Sequence, residues 1–122
     1  MKYISKSVVE GAMSYKEYAQ QVNDLYERHE TTGNDHSEAM LHYTSLNIAR
    51  MKRLDRTTTL TETSIAFLNH LQTPQVWLVI TEGWCGDAAQ ILPVVHAMAK
   101  QSPYVELKLI LRDHHLDIMD AF

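Results

Sequence analysis

Apolar residues recur at three- and four-residue intervals through most of the first half of the chain. Tyr15, Tyr18, Ala19, Val22, Leu25 and Tyr26 form one such stripe, introduced by Ser14 and Glu17 at capping-box spacing and ended by Thr31-Thr32-Gly33-Asn34-Asp35. The pattern predicts an amphipathic helix. A second, longer stripe runs through Met40, Leu41, Tyr43, Leu46, Ile48, Met51 and Leu54, with Asp35 and Glu38 repeating the capping pattern and Arg50, Lys52 and Arg53 toward its C-terminal end. Thr61 is placed to cap a third helix through Ile65, Ala66, Leu68 and Leu71, which must stop near Thr73 because Pro74 disfavours helical dihedrals in its predecessor. The first dozen residues show neither period and read as a tail or irregular arm.

Beyond Pro74 the period changes. Val76-Trp77-Leu78-Val79-Ile80 is a short continuous apolar run, the pattern of a strand covered on both faces. Helical spacing returns from 88 to 101 through Ile91, Leu92, Val95, Met98 and Ala99, and a second strand-like run follows from Val105 to Leu111. Two strands joined by a helix of this length predict a right-handed parallel crossover, an α/β core preceded by about three α-helices. The sharpest shift in composition divides the chain into an N-terminal helical arm, 1–73, and an α/β segment, 74–122. In such a core, sites gather at the C-terminal end of the first strand and the start of the following helix. Cys85 stands there.

Charge and cysteine usage narrow the chemistry. Fifteen acidic and 11 basic residues give a formal net charge of -4 with no basic stripe, which disfavours nucleic acid as a partner. No apolar run approaches the roughly 20 residues of a membrane span, and the N-terminus lacks a secretory apolar core, so a cytoplasmic, soluble protein without membrane contact is expected. A single cysteine cannot form an intrachain disulfide; Cys85 is either inert or reacts with another molecule.

A lone cysteine is more often a small buried hydrophobe than a reagent. Here it lies in a polar, glycine-flanked turn, Glu82-Gly83-Trp84-Cys85-Gly86-Asp87, which favours exposure. Backbone N–H groups and the positive end of the helix dipole favour thiolate over thiol at that position, while Asp87 disfavours a second negative charge. Gly86 allows close backbone approach by a partner, and Trp84 offers an aromatic platform beside the sulfur. Asp113-His114-His115 with Asp117 is the densest potential ligand cluster, but adjacent residues point apart and no second Cys or His pair has zinc-site spacing, so neither metal nor cofactor is expected.

The segment Trp84-Cys85-Gly86-Asp87-Ala88, after an apolar strand, resembles the redox segment Trp-Cys-Gly-x-Cys of the thioredoxin superfamily. Pro93 also stands eight residues after Cys85, where that family's active-site helix carries a proline; a proline inside a helix costs about 3 kcal/mol, so it is rarely placed there by chance. Together with the leading helices, the stretch Thr81 to Pro93 is similar to a bacterial branch in which Gly-Asp replaces Gly-Pro. Three departures qualify what the resemblance implies. Ala88 occupies the resolving-cysteine position, so ordinary dithiol reductase activity is not expected. The family's buried strand acid would fall at Val79, leaving Glu82 or Asp87 as proton acceptor. The chain ends inside the next helix, so a thioredoxin-like βαβ core that is incomplete at its C-terminus is expected, with an exposed sheet edge through which a homodimer could form.

The resemblance implies a monothiol redox protein in which Cys85 attacks a protein disulfide or exchanges with a low-molecular-weight thiol, or is oxidised by peroxide, and an external thiol regenerates it. Enzymatic activity stays open at this level. The rival reading is a non-catalytic binding or scaffold module on the same fold, and a weaker one is a helical adaptor that docks through residues 1–73.

Overall fold

The computed structural model describes residues 4–122. The chain runs α1 (Lys6–Gly11), α2 (Tyr15–Glu27), α3 (Glu38–Thr57), α4 (Glu62–Asn69), β1 (Gln75–Thr81), α5 (Gly86–Gln101), β2 (Val105–Leu111), a 3-10 turn (Arg112–His114) and α6 (Leu116–Ala121). Each leading helix starts on a side chain that satisfies an orphan N–H. Ser14 and Glu17 form a reciprocal capping box, and Thr61 accepts from Ser64 N. Asp35 does not cap α3. Ser37 does, accepting from Met40 N, while Asp35 Oδ1 accepts from Ser37 N at 2.8 Å and so orders the cap residue itself.

The first dozen residues are not an irregular tail over their described part. Ser5 caps the short helix α1, and Met13 then bridges antiparallel to Leu109, exchanging two backbone hydrogen bonds of 2.8 and 2.7 Å. That exchange covers part of the outer edge of β2. β1 and β2 pair in parallel with Trp77 opposite Leu107, Val79 opposite Leu109 and Ile80 opposite Ile110.

Alternation sends those residues to two cores. Trp77, Val79, Leu107, Leu109 and Leu111 face α2, α3 and α5, where they pack with Tyr15, Tyr18, Val22, Met51, Ala89 and Leu92. Leu78, Ile80 and Ile110 face the other way onto Ala12 and Ile118. The second face is covered only toward the C-terminal ends of the strands. At the opposite end Val76 is 49% exposed, and an exposed Glu106 pairs with the half-buried Lys108, so the apolar run of β1 is only partly a two-sided core. The covered end carries the cysteine turn. No helix among the described residues is long and apolar enough to cross a membrane.

The seam between α2 and α5 is polar. Tyr15 stacks on His96 with ring centroids 4.2 Å apart and donates its hydroxyl to Asp55 Oδ1 at 2.8 Å. An open cleft of about 440 Å³ lies along it, bordered by Lys16, Asn23 and Lys100.

Candidate functional site

β1 ends at Thr81, and Cys85 N donates to Glu82 O at 3.1 Å to close the turn that leads into α5. Cys85 is the N-cap of α5 in extended conformation (φ -82°, ψ 115°), and its side chain caps nothing. The thiol is half-buried and free. It lines a shallow, largely apolar depression of about 480 Å³ with Met40, Tyr43, Trp84, Gly86 and Asp87. The residues singled out in the sequence divide around it. Trp84 and Gly86 flank the sulfur, Asp87 is exposed in the first turn of α5, and Pro93 is buried further along the same helix on the side of the Tyr15–His96 seam.

Glu82 is placed differently from Asp87. It is 2% exposed, and both carboxylate oxygens act as acceptors: Oε2 from the Thr32 hydroxyl, Oε1 from Asp113 N at 2.9 Å. Thr32 Oγ1 in turn accepts from Gly83 N at 2.9 Å. One carboxylate therefore joins three segments, the α2–α3 loop, the turn after β2 and the cysteine turn. Buried acceptors of this kind are satisfied internally because water cannot reach them.

Two glycines allow these segments to approach so closely. A Cβ on Gly33 would lie 2.5 Å from Asp113 Oδ2 and 3.0 Å from Trp84 Nε1, and one on Gly83 would lie 3.3 Å from both methyl carbons of Val22. Asp113 thus belongs to this network and not to a histidine cluster; its side chain is turned toward Gly33 and accepts from Arg112 at 2.9 Å.

Helix α3 supplies the wall on the other side. Met40, Tyr43, Asn47 and Arg50 recur at helical spacing and face the turn. Met40 and Tyr43 line the depression, Asn47 Nδ2 donates to Gly83 O at 2.9 Å, and the guanidinium of Arg50 lies against Gly86. Beneath the turn, Tyr18 exchanges a hydrogen bond of 3.2 Å with Thr81. Burial pushes the Tyr18 phenol up to about 12, against the lowering effect of its hydrogen bond with Thr81 and with Glu82 and Cys85 adding to the rise, so it stays neutral at physiological pH.

A family model described as thioredoxin matches residues 33–122. The chain belongs to the thioredoxin family. No curated protein and no solved structure matches it. The family segment begins at Gly33, so it takes in α3 through α6 and the whole βαβ unit, while Thr32 and α2 lie just ahead of it. Ala88 lies within that match, in the first turn of α5.

Asn47 was not picked out in the sequence, Thr32 and Gly33 were read there only as part of the turn after the first stripe, and Asp113 only as a member of a possible ligand cluster. Asn47 had a signal: an amide between Thr44 and Met51 on the inner face of a helix must find a buried partner. The other three come together only through the loop crossings, which no local pattern announced.

Proposed function

We propose that this chain is a monothiol thiol-disulfide exchange protein acting through Cys85. The observation that carries the reading is the place of the thiol in a thioredoxin-family fold: at the C-terminal end of β1, at the start of α5, lining an open depression. Sγ, as thiolate, attacks one sulfur of a disulfide R–S–S–R; the S–S bond breaks, Cys85–S–S–R forms, and RS⁻ departs and takes a proton from solvent. An external thiolate then attacks the R sulfur, returning Cys85 as thiolate and leaving a new disulfide. Ala88 cannot perform that second step, so the external thiol is obligatory.

The two carboxylates take separate roles in this scheme. Asp87, exposed beside Cys85, is the proton acceptor in contact with water, and Glu82, with both oxygens engaged, holds the turn. Partners are a protein disulfide or a low-molecular-weight thiol, approached across Trp84 and Gly86.

The test is the pH dependence of iodoacetamide alkylation in the folded protein, with Cys85→Ala as the blank. A rate that rises at pH values well below the free-thiol reference of about 8.5 supports exchange chemistry. A folded protein that alkylates no faster than a free thiol at each pH would leave a non-catalytic scaffold on the thioredoxin fold as the better reading.

A further inference from the structure

Arg50 is half-buried on the face of α3 that looks at the cysteine turn, and its charge is unanswered. Among the described residues the ion pairs join Lys6 to Glu10, Arg28 to Glu30, Lys108 to Glu106 and Arg112 to Asp113, and none reaches Arg50. The guanidinium makes one hydrogen bond, from Nη1 to Asn47 Oδ1 at 3.1 Å, out of the five donors it carries. Asn47 is itself fixed by Gly83 O, so the Arg50 head is tethered to the turn and not free to swing. Nη1 stands 3.5 Å from the position a Cβ would take on Gly86, the residue after the thiol.

A second positive feature converges on the same place. Cys85 caps nothing, and the amides of Gly86, Asp87 and Ala88 have no intrahelical acceptor; the first bond into the helix runs from Ala89 N to Cys85 O. The opposing charge is Asp87, which is exposed, lines the same depression and is not among the ion pairs of the described residues. A planar fork beside a helix start, held by an amide and without an ion-pair partner, is the arrangement that recognises a carboxylate in two-point fashion.

We propose that Arg50 receives the carboxylate of a small amino-acid-type thiol that exchanges on Cys85. Such a thiol carries its carboxylate a few bonds from sulfur, so sulfur at Cys85 places the acid over Gly86, within reach of the guanidinium. The shallow depression beside Met40 and Tyr43 suits the rest of a small molecule. The inference rests on the exchange reading above and adds the class of thiol that the site prefers.

Two reagent pairs separate the inference from that reading. Iodoacetate and iodoacetamide alkylate the same sulfur and differ in the carboxylate; cystine and cystamine are disulfides of one skeleton, with and without it. The variants are Arg50→Gln, which keeps a donor for Asn47 Oδ1, and Arg50→Lys, which keeps the charge, each confirmed folded by circular dichroism. In Arg50→Gln the ratio of iodoacetate to iodoacetamide rates, and that of cystine to cystamine rates, should each fall by about threefold or more, beyond the common change that loss of a cation near the thiol makes toward all four reagents. Arg50→Lys should recover part of the loss, and added salt should erode the wild-type preference. Unchanged ratios in Arg50→Gln would overturn the inference while leaving the thiol reactive. Equal losses toward all four reagents would overturn it too, since the effect would not follow the carboxylate. A wild-type protein inert to all four would remove the exchange reading and the inference with it.

Discussion

Helix α5 is joined to the leading helices at two seams, and they are built from different materials. At its start, the cysteine turn is held through backbone atoms: Asp113 N and Gly83 N reach Glu82 and Thr32, and Gly83 O accepts from Asn47. Further along, Tyr15, His96 and Asp55 meet through side chains alone, beside an open cleft. A seam that grips the main chain fixes where Cys85 stands, whereas a seam of side chains fixes how two helices lean and tolerates rotamer changes. The first is dry and the second is partly wet, so losses at the first should be larger and should be felt at the thiol.

Removing the central acceptor tests that contrast most severely. Glu82→Ala leaves Asp113 N and the Thr32 hydroxyl without a buried acceptor and opens a void, a loss of about 3 kcal/mol in denaturant unfolding, with Cys85 alkylation altered in the fraction that stays folded. Glu82→Gln keeps one acceptor and the volume and should cost about 1 kcal/mol. A Glu82→Ala protein as stable as wild type would mean that the network does not hold the turn.

Next in size is Gly33→Ala. The added methyl must displace the Asp113 carboxylate or the Trp84 indole, and the carboxylate, as the end of a side chain, gives way first. The expected cost is about 1–2 kcal/mol, with a shift in Trp84 emission that a variant at the other seam would not produce. Trp77 emits as well, so the spectrum is read against Trp84→Phe.

How far each seam could be read in the sequence follows the same division. The helices and strands were legible because their stripes are long: Tyr15 to Tyr26, Met40 to Leu54, and the two apolar runs around 76–80 and 105–111. The thiol drew notice because Trp84-Cys85-Gly86 and Pro93 resemble the thioredoxin redox segment. Glu82 was legible as an acid near the thiol, but its role was not, because its partners Thr32 and Asp113 lie 50 and 31 residues away. The cap of α3 shifted from Asp35 to Ser37 for a local reason: both residues fit the capping chemistry, and only the path of the loop chooses between them. The second seam left almost no trace, since Tyr15 read as one member of a helical stripe and nothing in the pattern paired it with His96.

At that second seam Tyr15→Phe deletes the hydroxyl bonded to Asp55 while keeping the ring on His96, and about 1 kcal/mol should be lost. Cys85 alkylation should not change. A Tyr15→Phe protein with altered thiol kinetics would show that the two seams are coupled through α5, which the contrast denies.

The smallest effect expected is a pH slope set by His96. Burial, then the nearby Lys100 ammonium, holds its imidazole below the ordinary histidine value, with Asp55 opposing. The unfolded chain therefore binds the proton more readily than the folded one, at pH values from the ordinary histidine value, about 6.5, down to the lower folded value. Stability is full above that window and falls as pH drops through it, reaching a lower plateau once both states are protonated. The facing groups are Tyr15, which burial and Asp55 keep in its neutral form, together with Lys16, Lys100 and Asp55. His96→Asn should flatten that part of the stability–pH curve while leaving the thiol untouched. If the curve keeps its slope in His96→Asn, another histidine carries it, and the stacked pair is then no more than a packing contact.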